Sequence, residues 1–198
     1  MAMWVWRLPN KDDGTWNNPP AQPWECRRLA MNRLFQNQEL TLGWGMPELD
    51  LNLPEQQWVK KRYDWDHAAG GTMTMIAAQK DYNLMIPIRT DIQIGDTIFL
   101  PKVGANRLSD DHFVVVTVAG RYLFIKRGQY PRHLNQYTWD QDYGHVIPVD
   151  GNLTRTFPYS QNTLQSGDFG APFLKRQVKV PDHRFYQFLQ NQNYPFIP

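Results

Sequence analysis

Five histidines, one cysteine and scattered aspartates are the side chains that could carry acid–base, nucleophilic or metal chemistry, and their spacing argues against it. His67, His112, His133, His145 and His183 contain no i, i+4 pair with a carboxylate between, so no helix face offers a zinc-type ligand set. None of them lies near Cys26 in the sequence. Asp64, Asp66 and His67 are close together, but in what reads as a solvated loop with no second cluster to complete a site. Asp110, Asp111 and His112 could hold a divalent ion, and more simply they solvate the loop before a strand. A nuclease of the PD type needs an acidic residue and then an Asp/Glu-x-Lys pair on a strand; Pro181-Asp182 closes a strand with no such pair after it. Gly70-Gly71 lacks the following Lys-Ser or Lys-Thr of a phosphate loop. Missing constellations of this kind point away from an enzyme, and no metal or cofactor is expected.

The positive signal is aromatic. The chain has eight tryptophans in 198 residues, four of them (Trp4, Trp6, Trp16, Trp24) within the first 24. An indole offers a flat apolar face and an N–H that wants a partner, so such clustering implies an aromatic core or an aromatic pocket. Trp4 and Trp6 alternate with Val5 and Arg7 on a predicted strand and are assigned to the core. Trp16 and Trp139 lie in polar loops and are assigned to exposure or binding. Aromatic faces hold unstacked bases at about 1–3 kcal/mol each. Trp16, Trp24 and Trp44 are the first candidates for a base cage, with Tyr122, Tyr137 and Trp139 behind them. Asn17, Asn18 and Asp50 could read a base edge.

Net charge is only +2, so attraction to polyanions must come from local patches. Lys102, Arg107, Arg121, Lys126, Arg127 and Arg132 outnumber Asp110 and Asp111 along one stretch. Lys175, Arg176, Lys179 and Arg184 form another near the carboxyl end, opposed by Asp182. Either could be an ordinary solvated face or a phosphate-binding surface. A single cysteine excludes an internal disulfide and fits a reduced, cytoplasmic setting. No apolar run is long enough to span a bilayer, and the opening Met-Ala-Met-Trp-Val-Trp-Arg does not resemble a signal peptide.

The elements that must position these groups follow from periodicity and turn residues. Strands are predicted over Met3–Leu8, Leu40–Trp44, Ile92–Pro101, Phe113–Ile125 (divided at Gly120), Tyr143–Val149 and Phe173–Val180. Helices are predicted over Trp24–Asn37, from Pro54 to about Arg62, and from an Asp182 cap to about Gln190; Met73–Lys80 is ambiguous. Asn10–Pro23, Gly104–Asp111 and Gly128–Gln141 read as loops, the usual place for binding residues. Asn152–Gly170 reads as irregular, with Ser160–Gly170 mobile. The sum is an α+β domain, a small β-barrel decorated with helices over residues 1–150, and an extension over 151–198 whose strand and helix pack on it.

The order of these pieces resembles the PUA-like superfamily, and within it the EVE/YTH-type domains at the amino end of modification-dependent restriction systems. The resemblance rests on the opening Trp strand, on Leu42-Gly43-Trp44-Gly45-Met46-Pro47-Glu48-Leu49-Asp50-Leu51, and on Ile92-Gln93-Ile94-Gly95-Asp96-Thr97-Ile98. It continues through Val118-Ala119-Gly120-Arg121-Tyr122 and Asp142-Tyr143-Gly144-His145-Val146-Ile147-Pro148-Val149, covering roughly Met3 to Val149. Gly-Asp before a strand recurs across PUA-like barrels and so speaks for the fold more than for a ligand. The resemblance implies nucleic-acid binding, with a modified or flipped base in an aromatic pocket. No nuclease or motor region accompanies the motifs, so restriction by this chain alone is not implied.

The resulting expectation is a nucleic-acid-binding module, DNA ahead of RNA, that senses a methylated base. Trp16, Trp24, Trp44, Asp50, Tyr122 and Trp139 would form its base pocket, and Lys102, Arg107, Arg121, Lys126, Arg127 and Arg132 would hold phosphates. A separate effector protein could use it as a specificity partner. The alternatives are a protein-interaction module of the same fold, its aromatics forming a hot spot, and a metal-dependent nuclease or hydrolase assembled around Asp110, Asp111 and His112.

Overall fold

The computed structural model describes residues 2–6, 31–42, 49–68, 70–103, 111–125, 144–169, 174–177 and 183–195. Strands β1 (Met3–Trp6), β3 (Thr97–Val103), β4 (His112–Thr117), β7 (Arg155–Pro158) and β8 (Leu174–Gln177) form one mixed sheet, ordered β7-β4-β3-β1-β8. Strands β2 (Glu39–Leu42), β5 (Leu123–Phe124) and β6 (His145–Pro148) form a second, ordered β2-β6-β5. Helices α1 (Glu55–Ala68), α2 (Met75–Met85) and α3 (His183–Asn191) complete an α+β architecture. The described strands make two sheets and not a closed barrel.

The central strands of the large sheet, β1, β3 and β4, are buried on both faces, and the period of 2 along them sorts side chains between two cores. Trp4, Trp6, Ile98, Leu100, Val114 and Val116 face one core, which also takes in Leu34, Leu40, Leu51, Trp58, Tyr82 and Met85. Met3, Val5, Phe99, Phe113 and Val115 face the other, against Tyr159, Leu164, Phe169, Phe185, Phe188 and Tyr194. Both opening tryptophans are therefore core residues, as their alternation predicts. The second core is an aromatic lattice: Phe113 stacks on Phe157 at 5.5 Å and meets Phe188 edge-on at 5.2 Å, while Phe99 meets Phe185 edge-on at 4.9 Å.

Asp96 ties the first strand into this sheet. Gly95 takes φ 92°, a left-handed turn that glycine adopts without strain, and delivers Asp96 into the interior. The Asp96 carboxylate accepts from Ala2 N (2.6 Å), Trp4 Nε1 (2.9 Å) and Gln93 N (3.0 Å). Three donors on one buried carboxylate compensate its desolvation, which gives a physical reason for Gly-Asp at the head of a strand.

The two sheets meet at one corner. Val118 bridges Val149, and Ala119 N and Gly120 N both donate to Pro148 O, at 2.9 and 3.2 Å. Gly120 is required there by close approach, because a Cβ would sit 2.8 Å from Pro148 Cγ. The predicted division of the Phe113–Ile125 stretch at Gly120 is thus seen as β4, a bend and β5.

Some expectations change. Asp64, Asp66 and His67 lie on helix α1, which runs to Ala68 instead of ending near Arg62. Their roles are local: Lys60 pairs with Asp64 at 2.5 Å, Asp66 Oδ2 accepts Met73 N at 2.8 Å, and His67 stacks on Tyr63. Buried Arg62 joins α1 to α2 through Asp81 at 3.0 Å. The ambiguous Met73–Lys80 stretch becomes α2, capped by Thr74 Oγ1 accepting from Ala77 N. Within Asn152–Gly170, the stretch expected to be irregular, β7 pairs with β4, and Leu164 and Phe169, in the part expected to be mobile, are fully buried in the second core. A short strand containing Pro158 has too few alternating positions to announce itself, and the aromatic packing around it is long-range. Beyond residue 150 the chain supplies both edge strands of the large sheet and the helix over its second face.

Candidate functional site

The polar groups that converge outside these cores do so at one end of the small sheet. Its register places Leu42 of β2 and Phe124 of β5 on either side of His145, the first residue of β6. The end of β2, the end of β5 and the start of β6 therefore coincide. Gly144 makes room for the neighbouring ring, since a Cβ there would lie 2.7 Å from Phe124 Cε2. Phe124 then packs edge-on against the His145 imidazole at 5.2 Å, and Tyr122 lies on it at 5.9 Å and 31°.

The segment Leu49–Leu51 approaches the same end. Leu49 and Leu51 are buried, and Trp58 of α1 anchors the segment by donating its Nε1–H to Leu49 O at 2.9 Å. Asp50 between them is half-buried. Its Oδ1 accepts from Asn52 N (2.9 Å) and Asn52 Nδ2 (3.0 Å), an Asx turn, and from the Tyr122 hydroxyl (3.3 Å). Leu51 N donates to the Tyr122 oxygen at 3.2 Å, and His145 Nδ1 lies 2.9 Å from that same oxygen.

Burial fixes the protonation of this cluster. Nothing of His145 is exposed, and desolvation lowers its pKa from 6.5 to about 3, so the imidazole is neutral at ordinary pH. Burial also raises the Tyr122 phenol above its usual range, with Leu51 N–H opposing and Asp50 reinforcing the shift, so it keeps its proton. The far nitrogen, His145 Nε2, is buried and has no hydrogen-bond partner among the described residues. A group of this kind can bind and orient; a phenol held protonated beside a neutral imidazole is a poor general base at neutral pH.

Of the six residues assigned to a base pocket, Asp50 and Tyr122, 72 positions apart, are in contact. Trp16, Trp24, Trp44 and Trp139 lie outside the described residues, as do Tyr137, Asn17 and Asn18. Of the phosphate-binding candidates, Arg121 is exposed and immediately precedes Tyr122; Lys102 lies on β3, its side chain outside the description. Arg107, Lys126, Arg127 and Arg132 are likewise not among the described residues. His145 is the member that sequence reasoning did not assign to the site. Its only signal was a histidine where the alternating pattern of a strand calls for a buried side chain.

The rival metal cluster can be placed in part. Asp111 Oδ1 lies 2.8 Å from His112 Nδ1, and Asp110 is outside the description. No group of three or more His, Cys, Asp or Glu able to hold a metal occurs among the described residues. No helix among them is long and apolar enough to cross a membrane. No family model, no curated protein and no solved structure matches the chain.

Proposed function

We propose that the chain is a PUA-like, EVE/YTH-type module that binds nucleic acid, DNA ahead of RNA, and reads a base, methylated or otherwise, at the Asp50–Tyr122–His145 end of the small sheet. One observation carries this reading. Two residues chosen from sequence as pocket members meet at the sheet end where β2, β5 and β6 terminate or begin. In sequence, Trp44 comes two residues after β2, Lys126 and Arg127 follow soon after β5, and Arg132 and Trp139 fall between β5 and β6. The residues assigned to stacking and to phosphate binding thus neighbour, in sequence, the strand ends at which the Asp50–Tyr122–His145 cluster sits. These are the parts that recognition of an unstacked base requires. Such a module would work alone as a sensor, or as the specificity partner of a separate effector.

The test is fluorescence anisotropy of the full chain with matched oligonucleotides, single- and double-stranded, unmodified or carrying methylated adenine or cytosine, across a salt series. The expected result is binding that weakens as salt rises and prefers one base. Absence of binding to every oligonucleotide at low salt overturns the reading and brings the protein-interaction module forward.

A further inference from the structure

The Tyr122 oxygen has three polar neighbours and one proton to give. Leu51 N–H can only donate to it, at 3.2 Å, and the Asp50 carboxylate, at 3.3 Å, can only accept. Were the hydroxyl proton directed to His145, two oxygens, one of them a carboxylate oxygen, would face each other with no proton between them. The proton therefore points to Asp50, and His145 Nδ1–H donates to the Tyr122 oxygen across 2.9 Å. A neutral imidazole has one donor and one acceptor nitrogen, so this choice fixes the tautomer and leaves Nε2 a bare lone pair. That atom is buried and without a partner among the described residues, a condition that costs stability unless something uses it. Trp6 Nε1, Arg33 Nη1, Arg62 Nη1 and the hydroxyls of Thr41 and Thr97 share the deficit, but of these atoms His145 Nε2 is the one with no proton of its own to give, and its ring is linked through half-buried Tyr122 and Asp50 to the surface.

We infer that His145 Nε2 is a ligand-reading acceptor, and that the base taken at this site presents an N–H donor to it, from an exocyclic amino group or a ring nitrogen. Adenine, cytosine and their singly methylated amino forms qualify. Purine without the amino group and doubly methylated N6 do not. This inference rests on the nucleic-acid reading above and deepens it. Tyr122 acts as the positioning residue that sets the tautomer: without its hydroxyl, His145 is free to carry its proton on Nε2 and become a donor. The ring is covered in the free protein, so base entry must displace what lies over Nε2.

The experiment is NMR of the full chain with nitrogen-15-labelled histidine, read alongside anisotropy. The free protein should show His145 protonated on Nδ1, and Tyr122→Phe should lose that preference. An Nε2–H tautomer in the unmodified protein overturns the inference whether or not oligonucleotides bind. Single-stranded oligonucleotides carrying one adenine, N6-methyladenine, N6,N6-dimethyladenine or unsubstituted purine then test the ligand. The bases with an N–H to give should bind about tenfold or more tighter than those without and shift the Nε2 resonance. In Tyr122→Phe that discrimination should collapse. Equal affinity for bases with and without that N–H sinks this inference and spares nucleic-acid binding; no binding at all removes both.

Discussion

Two carboxylates in this molecule occupy opposite situations. Asp96, 2% exposed, has both oxygens engaged, with Ala2 N on one and Trp4 Nε1 and Gln93 N on the other. Asp50 is half-buried, and its three donors all converge on Oδ1. At Asp96 the hydrogen-bonding capacity is spent on holding β1 against the head of β3. At Asp50 it orients the side chain within a cluster that ends on His145 Nε2, a nitrogen with no partner among the described residues. Saturation marks a group that builds the fold; an oriented group with capacity left over marks one available to something else.

The difference is easiest to break at Asp96. Asp96→Ala should cost about 3–5 kcal/mol, because it takes the partner from the buried Trp4 indole N–H and from the part-buried backbone N–H groups of Ala2 and Gln93 at once. Urea denaturation measures it directly. Asp50→Ala should cost about 1–2 kcal/mol, the loss of an Asx turn and one tyrosine contact. Equal losses for the two would mean that Asp50 is as structural as Asp96.

A second effect belongs to the small sheet alone. His145 has a folded pKa of about 3, below the unfolded value of about 6.5, so between these limits the unfolded chain binds the extra proton. Its neutral burial is therefore fully tolerated above about pH 6.5, and stability falls as pH drops toward 3. The slope from this group is about 1.4 kcal/mol per pH unit within the window, reaching roughly 2 kcal/mol at pH 5. Urea midpoints at pH 7, 6 and 5 for the unmodified protein and His145→Gln should diverge in slope, with the variant flatter. Parallel lines would show that His145 is not held neutral in the folded state.

How much of this was legible in the sequence follows from what is local. The Trp4/Trp6 alternation, the Gly95-Asp96 turn and the Gly120 bend were readable because each is set by neighbouring residues and a period of 2. That Met3 and Val5 also face a core was not readable, because that second core comes from residues after 150 packing across the sheet. Helix α1 outran its predicted end since Trp65, Asp66 and His67 look like loop residues until Arg62, Asp81 and the Met73 amide are placed around them. In the site, Asp50 and Tyr122 were named by residue type, but nothing in their spacing says they touch. Their contact depends on Trp58 anchoring Leu49 and on the β5–β6 register, both products of tertiary packing. His145 went unassigned because its role is defined by its contact with Tyr122, 23 positions away.

The smallest expected change sharpens the contrast most. Asp50→Asn keeps an oxygen where Oδ1 now stands, so Asn52 N, Asn52 Nδ2 and Tyr122 can still donate to it. The stability cost should stay under about 1 kcal/mol, the difference between charged and neutral acceptors at a half-buried position. Asp96→Asn is a different matter, because one of its two engaged oxygens becomes an NH2 group facing an N–H donor in the interior. It should lose most of what Asp96→Ala loses. The same pair of variants separates the sites functionally: Asp50→Asn should weaken oligonucleotide affinity at unchanged thermal stability, since a carboxylate holds the Tyr122 proton more firmly than an amide does. If Asp50→Asn binds oligonucleotides like the unmodified chain and also leaves the His145 tautomer in place, then the charge on Asp50 is incidental, and Leu51 N–H with Tyr122 is sufficient to set the cluster.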